Sequence, residues 1–201
     1  MKKLLLTSAG LENPKIGEEF LKLVYKPAPK IKILFIPTAA RTNEELYYVG
    51  KAKKELLEIG IKNEIILIYN LDGDIGNAKL EHIDVIYVCG GNTFYLLHRV
   101  REDNFGEKIR EMVHKGIVYV GASAGSILAG PNIEISGRDK NDVELKEFTG
   151  LNLTDKIISP HYTDEEEDII NEFEQETGRK IIRLTDKQAL LVTDSNIKVV
   201  E

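Results

Sequence analysis

Short apolar runs, several of them lacking a polar face, recur along this 201-residue chain and leave few folds open to it. They fall at residues 3–7, 32–36, 64–69, 85–89, 117–120 and 156–159, with shorter ones at 181–184, 189–192 and 197–200. In Ile33-Leu34-Phe35-Ile36 and Val85-Ile86-Tyr87-Val88 both parities are apolar. A strand with one wet face alternates, whereas a strand covered on both faces does not. Between the runs lie helix candidates at 17–23, 42–59, 92–100, 105–115 and 164–177. In the second of these Leu46, Val49, Ala52, Leu56 and Leu57 stand near helical spacing, with Thr42 as cap and Gly60 as stop. The repeating β-α-β order predicts an α/β fold: one doubly wound, mostly parallel sheet with flanking helices, in a single domain over 1–201. The last two runs flank Thr193-Asp194-Ser195-Asn196, a turn signal that predicts a C-terminal β-hairpin.

Composition removes whole classes of function. The net charge is −6, and no basic stripe interleaved with aromatics appears, so neither nucleic acid nor an anionic membrane is expected as partner. Cys89 is the only cysteine, which excludes an internal disulfide and cysteine-based zinc sites. A reducing, cytoplasmic setting is the simplest expectation. Met1-Lys2-Lys3 before Leu4-Leu5-Leu6 has the look of a signal peptide, but the apolar run is too short and reads as a first strand. No run of about 18 apolar residues is present to span a membrane. The one protein partner entertained is a second copy of the chain, in a homodimer.

Chemistry concentrates at Gly121-Ala122-Ser123-Ala124-Gly125, between a strand run and a short apolar segment at 126–129. A G-x-S-x-G between strand and helix is a nucleophile-elbow pattern: small residues flank a tight turn, and the serine hydroxyl projects from the end of the sheet. The competing reading is a glycine-rich turn whose serine caps a helix.

In open α/β sheets, ligands bind beyond the carboxyl ends of the strands. Ser123, Gly90-Gly91-Asn92-Thr93 and Pro160-His161-Tyr162 all follow predicted strands, so they are expected along one sheet edge. His82 and His114 precede strands and read as solvated turn residues, and His98 reads as a helix-surface residue. His161 is therefore the candidate general base. Asp186, after the run at 181–184, is the preferred acid behind it, with Asp139 as the alternative. Backbone N–H groups of Gly90 or Gly91 and of Ala124 would form an oxyanion hole. Asn92 and Thr93 either orient substrate or cap the next helix. Cys89 reads as a buried strand residue, not a nucleophile.

With Val-Cys-Gly-Gly-Asn-Thr-Phe at 88–94, Gly-Ala-Ser-Ala-Gly-Ser at 121–126 and Ser-Pro-His-Tyr at 159–162, the chain resembles the peptidase E family. These are serine dipeptidases related to aspartyl dipeptidase and, more distantly, to cyanophycinase. The resemblance also takes in the opening Leu6-Thr7-Ser8-Ala9-Gly10, the segment 35–40 and the closing segment 186–192. It implies a fold akin to class I glutamine amidotransferases, with serine in place of their elbow cysteine, and cofactor-free hydrolysis of short peptides through an acyl-enzyme. It further implies Ser123 as nucleophile, His161 as base, Asp186 as acid and Gly91 with Ala124 as oxyanion donors. An acid between serine and histidine also has a role in the family, which retains Asp139. One segment departs. Aspartyl dipeptidases carry glycine and arginine after the histidine to read an N-terminal aspartate, whereas this chain has Tyr162-Thr163-Asp164-Glu165-Glu166-Glu167. Acidic side chains near a substrate carboxylate are unfavourable, so hydrolysis is expected while a preference for N-terminal aspartate is in question. Two rivals stand beside this reading: an α/β-hydrolase esterase, with the order Ser123, Asp139, His161, and a non-catalytic amidotransferase-like binding module.

Overall fold

The structure, a computed structural model, describes residues 2–73, 80, 82–102, 104–194 and 196–201. Its strands are β1 (Lys3–Thr7), β2 (Ile33–Ile36), β3 (Ile66–Ile68), β4 (Val85–Val88), β5 (Val118–Ala122), β6 (Ile157–Ser159), β7 (Ile181–Arg183), β8 (Ala189–Thr193) and β9 (Ile197–Val200). The helices are α1 (Pro14–Val24), α2 (Asn43–Glu58), α3 (Thr93–Glu102), α4 (Phe105–His114), α5 (Ala124–Leu128) and α6 (Glu167–Thr177). Seven strands form one sheet in the order β3-β2-β4-β5-β1-β8-β9, parallel from β3 to β1 and antiparallel through β8 and β9.

Double-sided burial explains the uninterrupted apolar runs. Leu5, Phe35, Tyr87 and Val120 pack on one face with Ile16, Phe20 and Leu56 of α1 and α2. Leu4, Leu34, Ile86 and Tyr119 pack on the other with Leu96, Ile109 and Leu128 of α3, α4 and α5. Burying a side chain of this size contributes about 1.5–3 kcal/mol, so neither face could be left to water. The helices follow their sequence signals closely. Thr42 accepts from Glu45 N–H at 3.2 Å as the cap of α2, and the Glu45 carboxylate returns to Thr42 N–H at 2.7 Å. Helix α1 begins earlier than the expected residue 17, because the Asn13 side chain caps it and Pro14 suits its first turn. The expected strand at 64–69 shortens because residues 63–65 form a 3₁₀ turn. The C-terminal hairpin forms with Ala189 opposite Val200, and Thr193 N–H donates to Asn196 O at 2.8 Å. Ser195 of its turn lies outside the described residues.

One expectation requires correction. The run at 156–159 does not end on the edge of the main sheet. Instead β6 pairs in parallel with β7 as a separate two-stranded sheet, bridged by α6 and closed by Ile157, Ile170 and Ile181. Sequence order cannot tell which sheet a short parallel strand joins, because the βαβ unit reads alike in both. The unit nevertheless meets the main sheet at its functional edge. Strand β8 runs backwards there, with Ala189 opposite Thr7, so residues 186–188 stand beyond the carboxyl end of β1.

Glu174 joins α6 to β7. Its Oε1 accepts Ile181 N–H at 2.7 Å and the Arg183 guanidinium at 3.2 Å, while Lys180 lies 3.2 Å from Oε2. The Ile181 N–H, then Arg183 and Lys180, pull its pKa from 4.5 down to about 2. A carboxyl depressed on folding stabilises fully above its unfolded value and loses that contribution as pH falls through its folded value. Urea midpoints should therefore fall more steeply for the native protein than for Glu174→Gln between pH 4.5 and 2. Parallel curves would contradict this role.

Candidate active site

Strand β5 runs straight into Ser123, whose φ of 49° and ψ of −111° place a non-glycine residue in sparsely populated backbone space. Such a conformation costs about 1–3 kcal/mol and persists only when its surroundings enforce it. Here Ser123 N–H donates to Thr7 O at 3.1 Å, and Ser126 N–H donates back to Ser123 O at 2.8 Å. The Ser126 hydroxyl reaches Thr7 O at 2.7 Å and Gly121 O at 2.8 Å, tying α5 to β1 and β5. Close approach dictates the two flanking glycines. A Cβ on Gly121 would lie 2.5 Å from the backbone of Gly125, and one on Gly125 would lie 2.3 Å from Val88 O. The G-x-S-x-G spacing is thus a packing requirement of α5 against β4 and β5.

His161 follows β6 with a φ of 56°, also left-handed. Its Nε2 lies 2.9 Å from Ser123 Oγ, and its Nδ1 lies 2.6 Å from Asp186 Oδ1. One continuous hydrogen-bonded line therefore runs from Ser123 through His161 to Asp186. The main sheet supplies the serine, and residues after β6 and β7 supply the other two. His161 and Asp186 are partly open to solvent, with side chains 41% and 63% exposed.

Ser8, absent from the sequence candidates, holds this line in place. Fully buried just beyond β1, it donates its hydroxyl to Asp186 Oδ1 at 2.9 Å and accepts His161 N–H at 2.7 Å. Its position after a strand's carboxyl end is the one cue the sequence holds, and that cue does not distinguish it from an ordinary loop serine.

The Gly90-Gly91 turn runs beside the serine. A Cβ on Gly90 would sit 3.1 Å from Ser123 Cβ, and Gly91, at φ 134°, would place one 2.2 Å from Ala39 O. Ala124 occupies the first position of α5, where a backbone N–H has no intrahelical acceptor. Asn92 is engaged at both ends of its amide: Oδ1 accepts Tyr95 N–H at 2.8 Å as the cap of α3, and Nδ2 donates to Lys140 O at 2.8 Å. Asp139 accepts Thr93 N–H at 2.7 Å at the start of the same helix, whereas the His161 ring faces Asp186. Cys89 is 2% exposed, and burial pushes its thiol well above its usual range. Elsewhere, His82 is exposed, His114 binds Arg110 O at 2.7 Å at the end of α4, and His98 lies 3.4 Å from Glu102 along α3. Among the described residues, no three His, Cys, Asp or Glu side chains gather as metal ligands would.

Two cavities flank Ser123. One, of about 490 Å³, lies toward α2 and includes Gly10, Glu55 and Tyr87 in its walls. The other, of about 300 Å³, is walled by Thr93, Ile127, Ile135, Arg138 and Glu166. Two carboxylates of the acidic segment after His161 are paired off. Glu166 forms an ion pair with Arg138 and caps the turn at Thr163 N–H. Glu167 binds Arg183 at 2.9 Å and accepts the Tyr162 hydroxyl at 2.9 Å. No helix among the described residues is long and apolar enough to cross a membrane.

Comparison with known proteins gives a consistent answer. The model of peptidase family S51 matches residues 4–200. An uncharacterized peptidase of Pasteurella multocida is 35% identical over 167 residues, covering 81% of this chain and 78% of the relative. Peptidase E of Nostoc is 35% identical over 168 residues, covering 81% of this chain and 66% of the relative. A crystal structure from Listeria monocytogenes EGD-e, described as a candidate peptidase E, superposes with a TM-score of 0.81 at 28% identity over 99% of this chain and 98% of that one. The chain belongs to peptidase family S51 and is a serine-type peptidase.

Proposed function

We propose that the chain hydrolyses short peptides through an acyl-enzyme on Ser123. The observation that carries this reading is the hydrogen-bonded line from Ser123 through His161 to Asp186. His161 Nε2 takes the Ser123 proton as Oγ attacks the scissile carbonyl, then returns it to the departing amine. Water, deprotonated by the same nitrogen, releases the acid and restores the serine. Asp186 holds the imidazole with Nδ1 protonated and offsets the positive charge that forms on the ring. The N–H groups of Gly91 and Ala124, with Gly90 alongside, receive the oxyanion. Ser123 and His161, two of the described non-glycine residues held at positive φ, both belong to this constellation. The cavities on either side of the serine are at the scale of single small-ligand sites, which suits a dipeptide-sized substrate.

Glu166 already neutralises Arg138 beside Ser123, so this reading includes no preference for an N-terminal aspartate. A dipeptide-library screen tests the function. The native protein should release amino acids from at least one class of dipeptide, and Ser123→Ala should release none. Equal release by both proteins would defeat the assignment.

Ser8 acts here as a positioning residue. Ser8→Ala removes a donor from Asp186 and leaves the part-buried His161 N–H without its acceptor. The expected result is a kcat about tenfold lower with KM nearly unchanged, since imidazole alignment matters more in the transition state than in substrate binding. A change confined to KM would contradict a positioning role.

A further inference from the structure

The cavity on the α2 side of Ser123 contains two polar groups that the hydrogen bonds described above leave unused. Glu55 is 6% exposed; its Oε2 accepts Leu11 N–H at 2.7 Å, but its Oε1 is buried without a hydrogen-bond partner. Tyr87, fully buried on β4, likewise has an unpartnered hydroxyl. Both side chains line the cavity that opens on Ser123. Buried groups of this kind are nearly always paired, so two on one cavity wall need an explanation. The bond to Leu11 accounts for only one carboxylate oxygen. The nearby cation, Lys51, is bound instead to Glu12 at 2.7 Å. Burial accordingly dominates Glu55 and raises its pKa from the ordinary carboxylate value, against the pull of Leu11 N–H and Lys51. The adjoining loop is moulded around this carboxyl: a Cβ on Gly10, at φ 96°, would lie 2.6 Å from Glu55 Oε2.

Charge and depth indicate what the cavity takes. Its charged wall holds Glu12, Glu45 and Glu55, with Asp186 behind His161, against one lysine, Lys51. Tyr87 pairs in register with Val120, three residues and roughly 10 Å of strand before Ser123, a distance matched by an extended side chain. We propose that this cavity is a cation subsite, in which the substrate residue on the acyl side of the scissile bond places an ammonium or guanidinium against Glu55 Oε1 and the Tyr87 hydroxyl. Such a group carries several N–H donors and can satisfy both acceptors at once. The inference rests on Ser123 being the point of attack, so its test is made independent of turnover.

Calorimetry on the Ser123→Ala protein provides that test, with Lys-Ala, Nα-acetyl-Lys-Ala, Ala-Ala and Asp-Ala as ligands. Lys-Ala should bind at least tenfold more tightly than Asp-Ala. Adding Glu55→Gln should remove tenfold or more of the Lys-Ala affinity and leave Asp-Ala no weaker. Glutamine keeps an acceptor for Leu11 N–H, and a thermal melt checks the fold. Adding Tyr87→Phe, which deletes only the hydroxyl, should weaken Lys-Ala about threefold. Sensitivity to Glu55→Gln with Nα-acetyl-Lys-Ala supports the side-chain ammonium in the cavity, whereas equal sensitivity with Ala-Ala, which has no such group, overturns it. Lys-Ala binding that is no tighter than Asp-Ala, or that is unmoved by both substitutions, overturns the subsite. Hydrolysis of Lys-Ala by the native protein, measured separately, reports on the Ser123 reading alone.

Discussion

Replacing Ser123 by alanine is expected to lower kcat/KM for short-peptide hydrolysis by roughly ten-thousand-fold or more. The size follows from the geometry. Ser123 Oγ, 2.9 Å from His161 Nε2, is the protein atom that bonds to the substrate's carbonyl carbon in the proposed mechanism. Alanine fits the strained turn no worse than serine, because the φ of 49° at this position is enforced by Thr7, Ser126 and the packing at Gly121 and Gly125. Folding and melting temperature should therefore stay close to native while turnover disappears. Residual activity within tenfold of native would place the chemistry elsewhere.

The second large effect belongs to Asp186. Asp186→Asn should lower kcat roughly a hundredfold to a thousandfold. An asparagine can present its amide N–H to His161 Nδ1 and so favour the tautomer that cannot accept the serine proton at Nε2. The loss should fall short of that for a deeply buried triad acid, because 63% of the Asp186 side chain is exposed and water screens its charge. Asp139→Asn is the matched control. Its side chain accepts Thr93 N–H at the start of α3, and asparagine retains an accepting oxygen there, so kcat should stay within about threefold of native. The reverse pattern would move the acid role to Asp139.

Much of this arrangement was legible in the sequence because the physical demands on it are local. Runs such as Ile33-Leu34-Phe35-Ile36 are apolar on both parities only because helices cover both faces of the sheet. Gly121 and Gly125 mark the serine turn because no side chain fits between α5 and the strands it packs against. Long-range placement was less legible. Nothing local in residues 156–159 distinguishes a strand of the main sheet from one paired with β7, and the approach of His161 to Ser123 depends on how that βαβ unit docks. Ser8 and Glu55 escape a sequence reading for a related reason. A serine after a first strand and a glutamate in a helix are ordinary in sequence, and only burial and their distant partners distinguish them.

Ser123 as nucleophile is the central claim, and covalent labelling tests it most directly. Native protein treated with a fluorophosphonate should gain one phosphonyl group, located at Ser123 by peptide mass spectrometry, whereas Ser123→Ala should gain none. A native protein that resists labelling across roughly neutral pH, or an adduct on another residue, would contradict the account.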